Sequence, residues 1–350
     1  MNTERERLSA QFINQSFVRK LDEGRVKEAA DEGSRFIRSK LRQESFAREI
    51  LEPVELSADE IDRDEHTDQP KKIIEKEPDS TATFVTFKGS GQRTFFRGPR
   101  YSVFFGKVES QHFMKSKFEL LTYQNDIRKI LTDNSVKDMA DVEDRKFIET
   151  IDVALAESAP TIAGNVAANA INGITRTRTH LKAGHSGQFV GSDLLNGNEF
   201  FADTDGAGAE QAPLSKELLA QMFQAMTAKK LPIGKMLMSK TTFMEALKFD
   251  QTEVGNDILS RHYDRGLEGE DKLFGVPVIT TIKNDIVKDN EIYLFAPQNY
   301  LGNFFLLQDA TLFIKQEADM IEFWSYSSPG IGIGNTKGVI KLSGFKSVGA

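Results

Sequence analysis

The 350-residue sequence contains no cysteine, only one tryptophan and no long apolar run. The absence of cysteine excludes disulfide bonds, thiolate-bound zinc and cysteine nucleophiles. No apolar stretch reaches the roughly 18 residues that a membrane-spanning helix requires. The N-terminal sequence MNTERERLSA also lacks the apolar core of a signal peptide. We therefore expect a protein of the cytoplasm or of an assembly formed there, without membrane contact.

The overall charge is acidic, with a formal net charge of -7 at pH 7. This balance argues against a polyanion-binding surface along the whole chain, although a local basic patch remains compatible with it. The length is sufficient for two domains, or for one core with large excursions.

The motifs that suggest catalysis or metal binding are all incomplete. GIGIGN at 330–335 lacks the spacing of a dinucleotide-binding loop, and we interpret it as a glycine-rich bend in a strand. GHSG at 184–187 lacks the spacing of a nucleophile elbow. DTDGAGAE at 203–210 lacks the distal glutamate of a calcium loop, and His180 and His185 have no evident third zinc ligand. We expect no enzymatic activity, no cofactor and no metal.

Helical periodicity dominates four stretches of the sequence. Two lie near the N-terminus and two in the middle, where Asp141 or Glu143 begins one helix and Ser215 caps the other. Because the first two carry loose apolar stripes, we expect their partner to lie elsewhere in an assembly. The four predicted helices span residues 8–23, 25–51, 141–158 and 215–230.

An acidic segment interrupted by prolines, PVELSADEIDRDEHTDQPKKIIEKEPDS, covers residues 53–80. Alone it buries too little apolar surface to offset the entropy of ordering it. We predict that a neighbouring copy of the same chain holds it.

Residues 81–118 show the alternation of strands, with turn signals at 89–91 and at Gly98-Pro99. We predict a long two-stranded excursion. An isolated hairpin is marginally stable in water, so this one also needs a surface on which to lie.

The same region contains the densest aromatic and basic cluster of the chain. Such residues favour a contact between protein subunits, since phenylalanine, tyrosine and arginine are enriched at interfaces. Two alternatives remain open: a platform for single-stranded nucleic acid, and ordinary core, because adjacent phenylalanines point to opposite strand faces. The candidate contact residues are Arg93, Phe95, Phe96, Arg97, Arg100, Tyr101, Phe104, Phe105 and Lys107.

The final third alternates rapidly between strands and short helices, giving a mixed α+β chain. KMLMSKTTFMEAL is followed about 30 residues later by LFGVPVITT and then by EIYLFAPQNYLG. Together with the preceding arm, hairpin and long helix, this order of parts resembles the major capsid proteins of tailed bacteriophages, which have the Hong Kong 97-like fold. The resemblance covers approximately residues 80–345.

The resemblance implies four regions. They are an N-terminal arm and linker, an extended hairpin loop that lies across a neighbouring subunit, a peripheral domain with a long spine helix, and an axial domain. The implied bounds are 1–80 for the arm and linker, 81–118 for the loop, 119–230 with 321–350 for the peripheral domain, and 231–320 for the axial domain.

The resemblance also implies a function. The chain would be a capsid subunit that forms the hexamers and pentamers of an icosahedral head around double-stranded DNA, in the virion, after assembly in the bacterial cytoplasm. Because the chain begins at Met1 with its arm, we expect a separate scaffolding protein, along with a portal, a possible decoration protein and weak non-specific DNA contacts. A few members of the family form Lys-Asn isopeptide cross-links between the loop and the peripheral domain. Lys88, Lys107 and Lys115 lie in or beside the hairpin, but no acceptor asparagine can be matched by position. Two alternatives remain: the shell of an encapsulin-like nanocompartment, and a soluble nucleic-acid-binding protein.

Overall fold

The architecture is a mixture of helices and several sheets, as the sequence predicts. It was analysed in a computed structural model, which describes residues 2–75, 84–85, 87, 89, 100–122, 127, 135–158, 170–171, 174–175, 179–182, 198–203, 214–246 and 272–345.

The described chain contains both long helices and helices of only one or two turns. Two of the predicted helices are reproduced closely, and Ser215 caps one of them by accepting a hydrogen bond from the backbone N–H of Leu218. The predicted helix at 25–51 is divided at Ser45, whose extended backbone ends one helix and whose hydroxyl caps the next. The helices are α1 (Asn2–Asp22), α2 (Val26–Glu44), α3 (Phe46–Ile50), α4 (Lys117–Thr122), α5 (Lys137–Ser158), α6 (Lys216–Ala228), α7 (Lys240–Ala246) and α8 (Gln298–Leu301).

A five-stranded sheet is built around a long antiparallel ribbon, in which Phe313 pairs with Trp324. Alternating residues of the second ribbon strand face inward, where Ile321 and Phe323 are buried. The strands are β1 (Pro53–Glu55), β5 (Val108–Glu109), β6 (Phe113–Ser116), β15 (Gly302–Glu317) and β16 (Met320–Ile333), of which β15 and β16 form the ribbon.

A seven-stranded sheet forms the second large unit, in the order β12-β13-β11-β14-β17-β10-β9. Helices α6 and α7 cover it, and Leu219, Met222 and Phe243 are fully buried in the resulting core. The strands are β9 (Thr179–Lys182), β10 (Glu199–Asp203), β11 (Lys235–Ser239), β12 (Lys272–Leu273), β13 (Val276–Thr281), β14 (Glu291–Phe295) and β17 (Val339–Ser343).

Two smaller sheets complete the described strands. One consists of β2 (Asp62–Arg63), β3 (Pro70–Glu75) and β4 (Arg100–Phe104), and the other of β7 (Ala170–Ile171) and β8 (Ile174–Thr175). Although its sequence is rich in glycine and asparagine, the region 160–213 therefore contains short strands.

The acidic segment is held by its own chain, which corrects the expectation that a neighbouring copy holds it. Strand β1 pairs in parallel with β15, where Val54 lies opposite Phe305. Strand β3 pairs with β4, where Ile74 lies opposite Tyr101. Both partners are distant in sequence, so local composition could not reveal that β1 and β3 find their strand partners within the subunit.

The predicted hairpin is also rearranged. Its second half begins with β4, whose partner is β3, and Phe84 and Val85, which were expected in the first half, are not in a strand. Its far end belongs to the main sheet, since β5 and β6 both pair with β16. A ribbon strand with free hydrogen-bonding groups at its edge outcompetes pairing within an isolated hairpin.

The N-terminal helices pack on the subunit itself, which corrects the expectation that their partner lies elsewhere in an assembly. Ile37 and Leu41 of α2 are fully buried in one cluster with Leu312 and Phe323 of the ribbon. Helix α3 packs against α5 through Phe46 and other apolar residues.

The expected boundary at 320/321 falls inside the ribbon, between its two strands. Strand β17, expected in the peripheral domain, pairs with β14 in the seven-stranded sheet. Within the described ranges, no helix is both long enough and apolar enough to cross a membrane.

Candidate assembly interface

The base of the hairpin, residues 100–105, lies on a glycine-rich stretch of β16 and the residue that follows it. A methyl group added at Gly330 would come within 2.8 Å of the Phe105 ring, and one at Gly334 within 2.6 Å of the Tyr101 hydroxyl. Gly332 lies in the same way beneath Val103. The motif GIGIGN is therefore a strand whose missing side chains make room for the hairpin base.

Two candidate contact residues consequently belong to the core of their own chain. Phe105 is 9% exposed and packs with Val103 and Phe305. Tyr101 is half-buried against the same cluster, and burial raises the pKa of its hydroxyl. The burial of Phe105 within its own chain fits the alternative of ordinary core, and the role of both rings as contacts between subunits stays a prediction.

Three further candidates lie at the surface. Phe104 is 50% exposed and lines a groove of about 290 Å³ beside α5. Arg100 pairs with Glu75 at 2.6 Å, and the Lys107 ammonium lies 2.9 Å from a Glu109 carboxylate oxygen. The candidates Arg93, Phe95, Phe96 and Arg97 lie outside the described residues.

Residues 84–97 are called the tip segment below. Within it, Phe84 and Phe87 are both fully exposed, with relative exposures of 104% and 110%. Full burial of a phenylalanine side chain is worth about 1.5–3 kcal/mol. Two rings left exposed in the subunit therefore favour binding to a second surface that would bury them.

Four stacked rings cross the outward face of the ribbon and are called the ring ladder below. His112 stacks on Trp324 with ring centroids 4.7 Å apart and planes 4° apart. Trp324 stacks on Phe313 at 5.8 Å, and Phe313 stacks on Tyr326 at 4.9 Å. The Lys107 ammonium closes the row 4.7 Å from the Tyr326 centroid.

Charged groups hold His112 at the end of the ladder. Its Nδ1 lies 2.8 Å from a Glu322 carboxylate oxygen and its Nε2 lies 3.4 Å from Glu109. The hydrogen bond to Glu322, with help from Glu109, raises the pKa of His112. Hydrogen bonds from Lys107 and His112 in turn lower the pKa of Glu109.

A buried ion cluster fixes α3 to the rest of the subunit. The guanidinium of Arg48 makes two hydrogen bonds to Glu143, at 2.7 and 2.9 Å, and one to Asp309 at 3.0 Å. The Arg48 and Glu143 side chains are fully buried, and Ser327 donates a further hydrogen bond to Glu143. One cation thus joins α3, α5 and β15.

A second buried carboxylate stands beside this cluster. Asp144 accepts hydrogen bonds from the Ser45 hydroxyl and the Ala47 backbone N–H, and pairs with Lys283 at 2.7 Å. Burial raises the pKa of Asp144 despite the nearby lysine. The sequence interpretation of Glu143 as a helix-start residue was wrong, because α5 begins at Lys137 and Glu143 binds Arg48.

Sequence reasoning missed the ring ladder. The alternation in FWSYSS places Trp324 and Tyr326 on one strand face, which was an available signal. No sequence signal placed His112 or Phe313 beside them, because Phe313 comes from β15 and His112 from the connection between β5 and β6.

The remaining predicted motifs carry no site in the described chain. GHSG at 184–187 and His185 lie outside the described residues, as does most of 203–210. Among the residues that are described, no three histidine, aspartate or glutamate side chains gather as metal ligands.

No protein-family model matches the sequence, and no curated protein matches it. Among solved structures, the chain is similar to the bacteriophage PhiM1 mature capsid, with 9% identity, coverage of 85% of this chain and 86% of that chain, and a TM-score of 0.50. A virus-like particle from Pyrococcus furiosus is 13% identical, with coverage of 90% of this chain and 100% of that chain and a TM-score of 0.48. The cyanophage P-SCSP1u capsid is 12% identical, with coverage of 80% of this chain and 85% of that chain and a TM-score of 0.47.

The likeness to the PhiM1 capsid chain defines the fold. The fold is that of a phage capsid subunit, and the Hong Kong 97-like resemblance predicted from the order of parts is confirmed at this level.

Proposed function

We propose that this chain is the major capsid subunit of a tailed bacteriophage and assembles into the hexamers and pentamers of an icosahedral head. The observation that carries the proposal is the fold shared with the PhiM1 mature capsid chain over most of both chains. The fully exposed rings Phe84 and Phe87 give independent support, since a self-assembling subunit supplies a partner for them.

The two large sheets suggest how the chain divides. The five-stranded sheet with α5, here the spine helix, corresponds to the peripheral domain, and the seven-stranded sheet corresponds to the axial domain. The extended loop then runs from β3 through the tip segment to β4, and the N-terminal helices belong to the peripheral domain.

The proposed function requires further partners. A separate scaffolding protein and a portal act during assembly in the bacterial cytoplasm, a decoration protein is a further candidate, and double-stranded DNA is enclosed through weak non-specific contacts. The subunit performs no catalysis and takes no cofactor or metal in this role.

Light scattering after size-exclusion chromatography of the expressed protein tests the proposal, followed by electron microscopy. We expect closed shells, formed by the protein alone or with its scaffold. A protein that stays monomeric under both conditions contradicts the proposal. Shells that carry specific protein cargo instead of DNA would assign it to nanocompartments.

A further inference from the structure

Two short connections that lie side by side join the two large sheets. One runs from β14 through α8 into β15, and the other runs from β16 through residues 334–338 into β17. The connections are hydrogen-bonded to each other. The backbone N–H of Ala296 donates to the Gly338 carbonyl at 2.8 Å, and that of Gly334 donates to the Leu301 carbonyl at 3.1 Å. Such a double link works as a hinge, so the angle between the sheets is fixed by what packs beside it.

Residues 45–52, which contain α3, reach this hinge and are called the wedge below. The wedge begins where the extended backbone of Ser45 ends α2. It ends at Glu52, which the Gln298 side chain of α8 holds from both sides. The Gln298 amide donates to the Glu52 carbonyl at 3.0 Å and accepts from the Glu52 backbone N–H at 3.1 Å. The wedge is therefore tied directly to one of the two connections.

The apolar side chains of the wedge lie in a core that both sheets share. This cluster also contains residues of α5, of the ribbon strand β15 and of four strands of the seven-stranded sheet. Phe46 packs edge-on against Phe147 of α5, with ring centroids 6.3 Å apart. The Phe147 ring in turn lies 5.8 Å from Phe295 of the seven-stranded sheet. The buried wedge side chains are Phe46, Ala47, Ile50 and Leu51.

Polar contacts fix the wedge to both sheets separately. On the ribbon side, Arg48 donates to Asp309 at 3.0 Å and lies 5.7 Å from the Phe304 ring centroid. On the other side, Lys235 of β11 donates to the Glu49 carbonyl. Because a packed protein interior transmits strain instead of absorbing it, a change in the width of the wedge reaches both sheets.

We infer that the wedge sets the angle between the two large sheets and, through that angle, the curvature that each subunit contributes to a shell. The first half concerns the single subunit, whereas the second half rests on the proposed function. The ribbon extends about 45 Å from Gly302 to Gln316, so a rotation of about 5° at the hinge moves its far end by about 4 Å. Since the rotation between neighbours decides how a head-to-tail assembly closes, such a change alters the size of the closed shell.

The absence of cysteine from the chain allows this angle to be measured. Gln316→Cys at the far end of the ribbon and Thr241→Cys on α7 place two spin labels at exposed positions, one on each side of the hinge. Double electron–electron resonance then gives the distance between the labels in the free, full-length subunit.

Leu51→Ala narrows the wedge, and Ala47→Leu widens it. We expect the mean label distance to shift in opposite directions in the two variants, by at least about 2 Å, which corresponds to a rotation of about 2.5°. Ile50→Val and Ala47→Val are a milder pair, to be used where a larger change prevents folding. Unchanged distances, or shifts in the same direction, would overturn the inference.

Leu219→Ala is the matched control for Leu51→Ala. Both leucines are fully buried and lose the same atoms, but Leu219 lies in the core between α6 and the seven-stranded sheet, away from the wedge. We expect the label distance of this variant to equal that of the wild type. An equal shift in both variants would show that the distance reports any loss of packing, and the wedge would have no special role.

The diameters of shells, measured by electron microscopy, test the second half of the inference. We expect Leu51→Ala shells to differ in diameter from those of the wild type and Leu219→Ala shells to match them. Shifted label distances with unchanged diameters would overturn the link to curvature alone. If the wild type forms no shells, the curvature half falls with the proposed function, while the label distances still decide whether the wedge sets the angle.

Discussion

The sequences of the N-terminal helices and of the tip segment both predict a partner elsewhere in an assembly, yet the environments of the two segments differ. Ile37 and Leu41 of α2 are fully buried against the ribbon of their own chain. Phe84 and Phe87 of the tip segment are fully exposed. An amphipathic sequence thus establishes that a partner is required, but it does not say whether that partner lies in the same chain.

The difference lies in how each segment is anchored. The helices are fixed at their end by Arg48, which is buried between two carboxylates of distant elements. The tip segment is anchored through the hairpin base, where Tyr101 and Phe105 occupy the space left by glycines. Beyond this anchored base, the exposed rings of Phe84 and Phe87 are the ones we expect to serve an assembly.

Deleting residues 2–52 should have the largest effect and tests the first half of this comparison. The deletion removes Ile37, Leu41 and Arg48 and leaves Glu143 and Asp309 buried without their cation. We expect loss of the folded subunit, measured as loss of cooperative thermal unfolding by circular dichroism.

Replacing the tip segment, residues 84–97, with a glycine-serine linker of equal length is the matched control. We expect the subunit to stay folded and shell formation to be lost. A truncated protein without its N-terminal helices that still unfolds cooperatively would show that these helices are an assembly arm after all.

Arg48→Met tests the anchor itself. Removing one partner of a buried ion cluster typically costs about 3–5 kcal/mol, because the remaining charge is buried and unpaired. We expect a loss of this size in the free energy of unfolding, measured by chemical denaturation. Adding Glu143→Gln to Arg48→Met should restore part of the lost free energy of unfolding, because it removes the unpaired buried charge.

Arg38→Met is the matched comparison for Arg48→Met, because Arg38 pairs with the same Asp309 from a more exposed position. Its side chain is 39% exposed, and its Nε lies 3.6 Å from an Asp309 carboxylate oxygen. We expect a loss below about 1 kcal/mol. Equal losses for both arginines would mean that the buried cluster does not anchor α3.

Phe105→Ala and Phe104→Ala sharpen the comparison within two adjacent residues. Phe105 is core, and truncating a buried phenylalanine costs about 3–5 kcal/mol. Phe104 is half-exposed, so its truncation should cost about 0.5 kcal/mol or less. Chemical denaturation of the two variants measures the difference, and similar losses would refute the assignment of opposite faces.

Much of the fold follows from periodicity, and its failures share one cause. Helix α6 with its Ser215 cap and strands such as β11 and β14 were predictable, because their signals lie within the element. The pairing of β1 with β15 and of β3 with β4 was not, since each joins segments more than 20 residues apart. The same holds for Glu143, which looked like a helix-start residue and instead neutralises Arg48.

The candidate site was predicted only in part. The pair Phe104-Phe105 indicated one buried and one exposed ring, as the structure has it. The ring ladder could not be predicted, because His112, Phe313 and Trp324 come from three separate segments. Their meeting depends on the register in which β15 pairs with β16. Gly330 and Gly332 predicted a glycine-rich bend in a strand. Only the structure shows that Phe105 and Val103 of the hairpin base occupy the space where side chains would otherwise lie.

The smallest expected effect concerns the pH response of the ring ladder. Because Glu322 and Glu109 raise the pKa of His112, folding favours its protonated form. The resulting stabilisation is fully present below the ordinary histidine pKa of about 6.5 and is lost as the pH rises through the raised value. A protonated imidazole stacked on an indole accepts an electron from its excited state and quenches its fluorescence. We therefore expect Trp324 emission to increase through a single transition above pH 6.5, and His112→Gln to abolish that transition while leaving the secondary structure unchanged. A transition at or below the ordinary pKa would mean that the carboxylates do not hold the ring in solution.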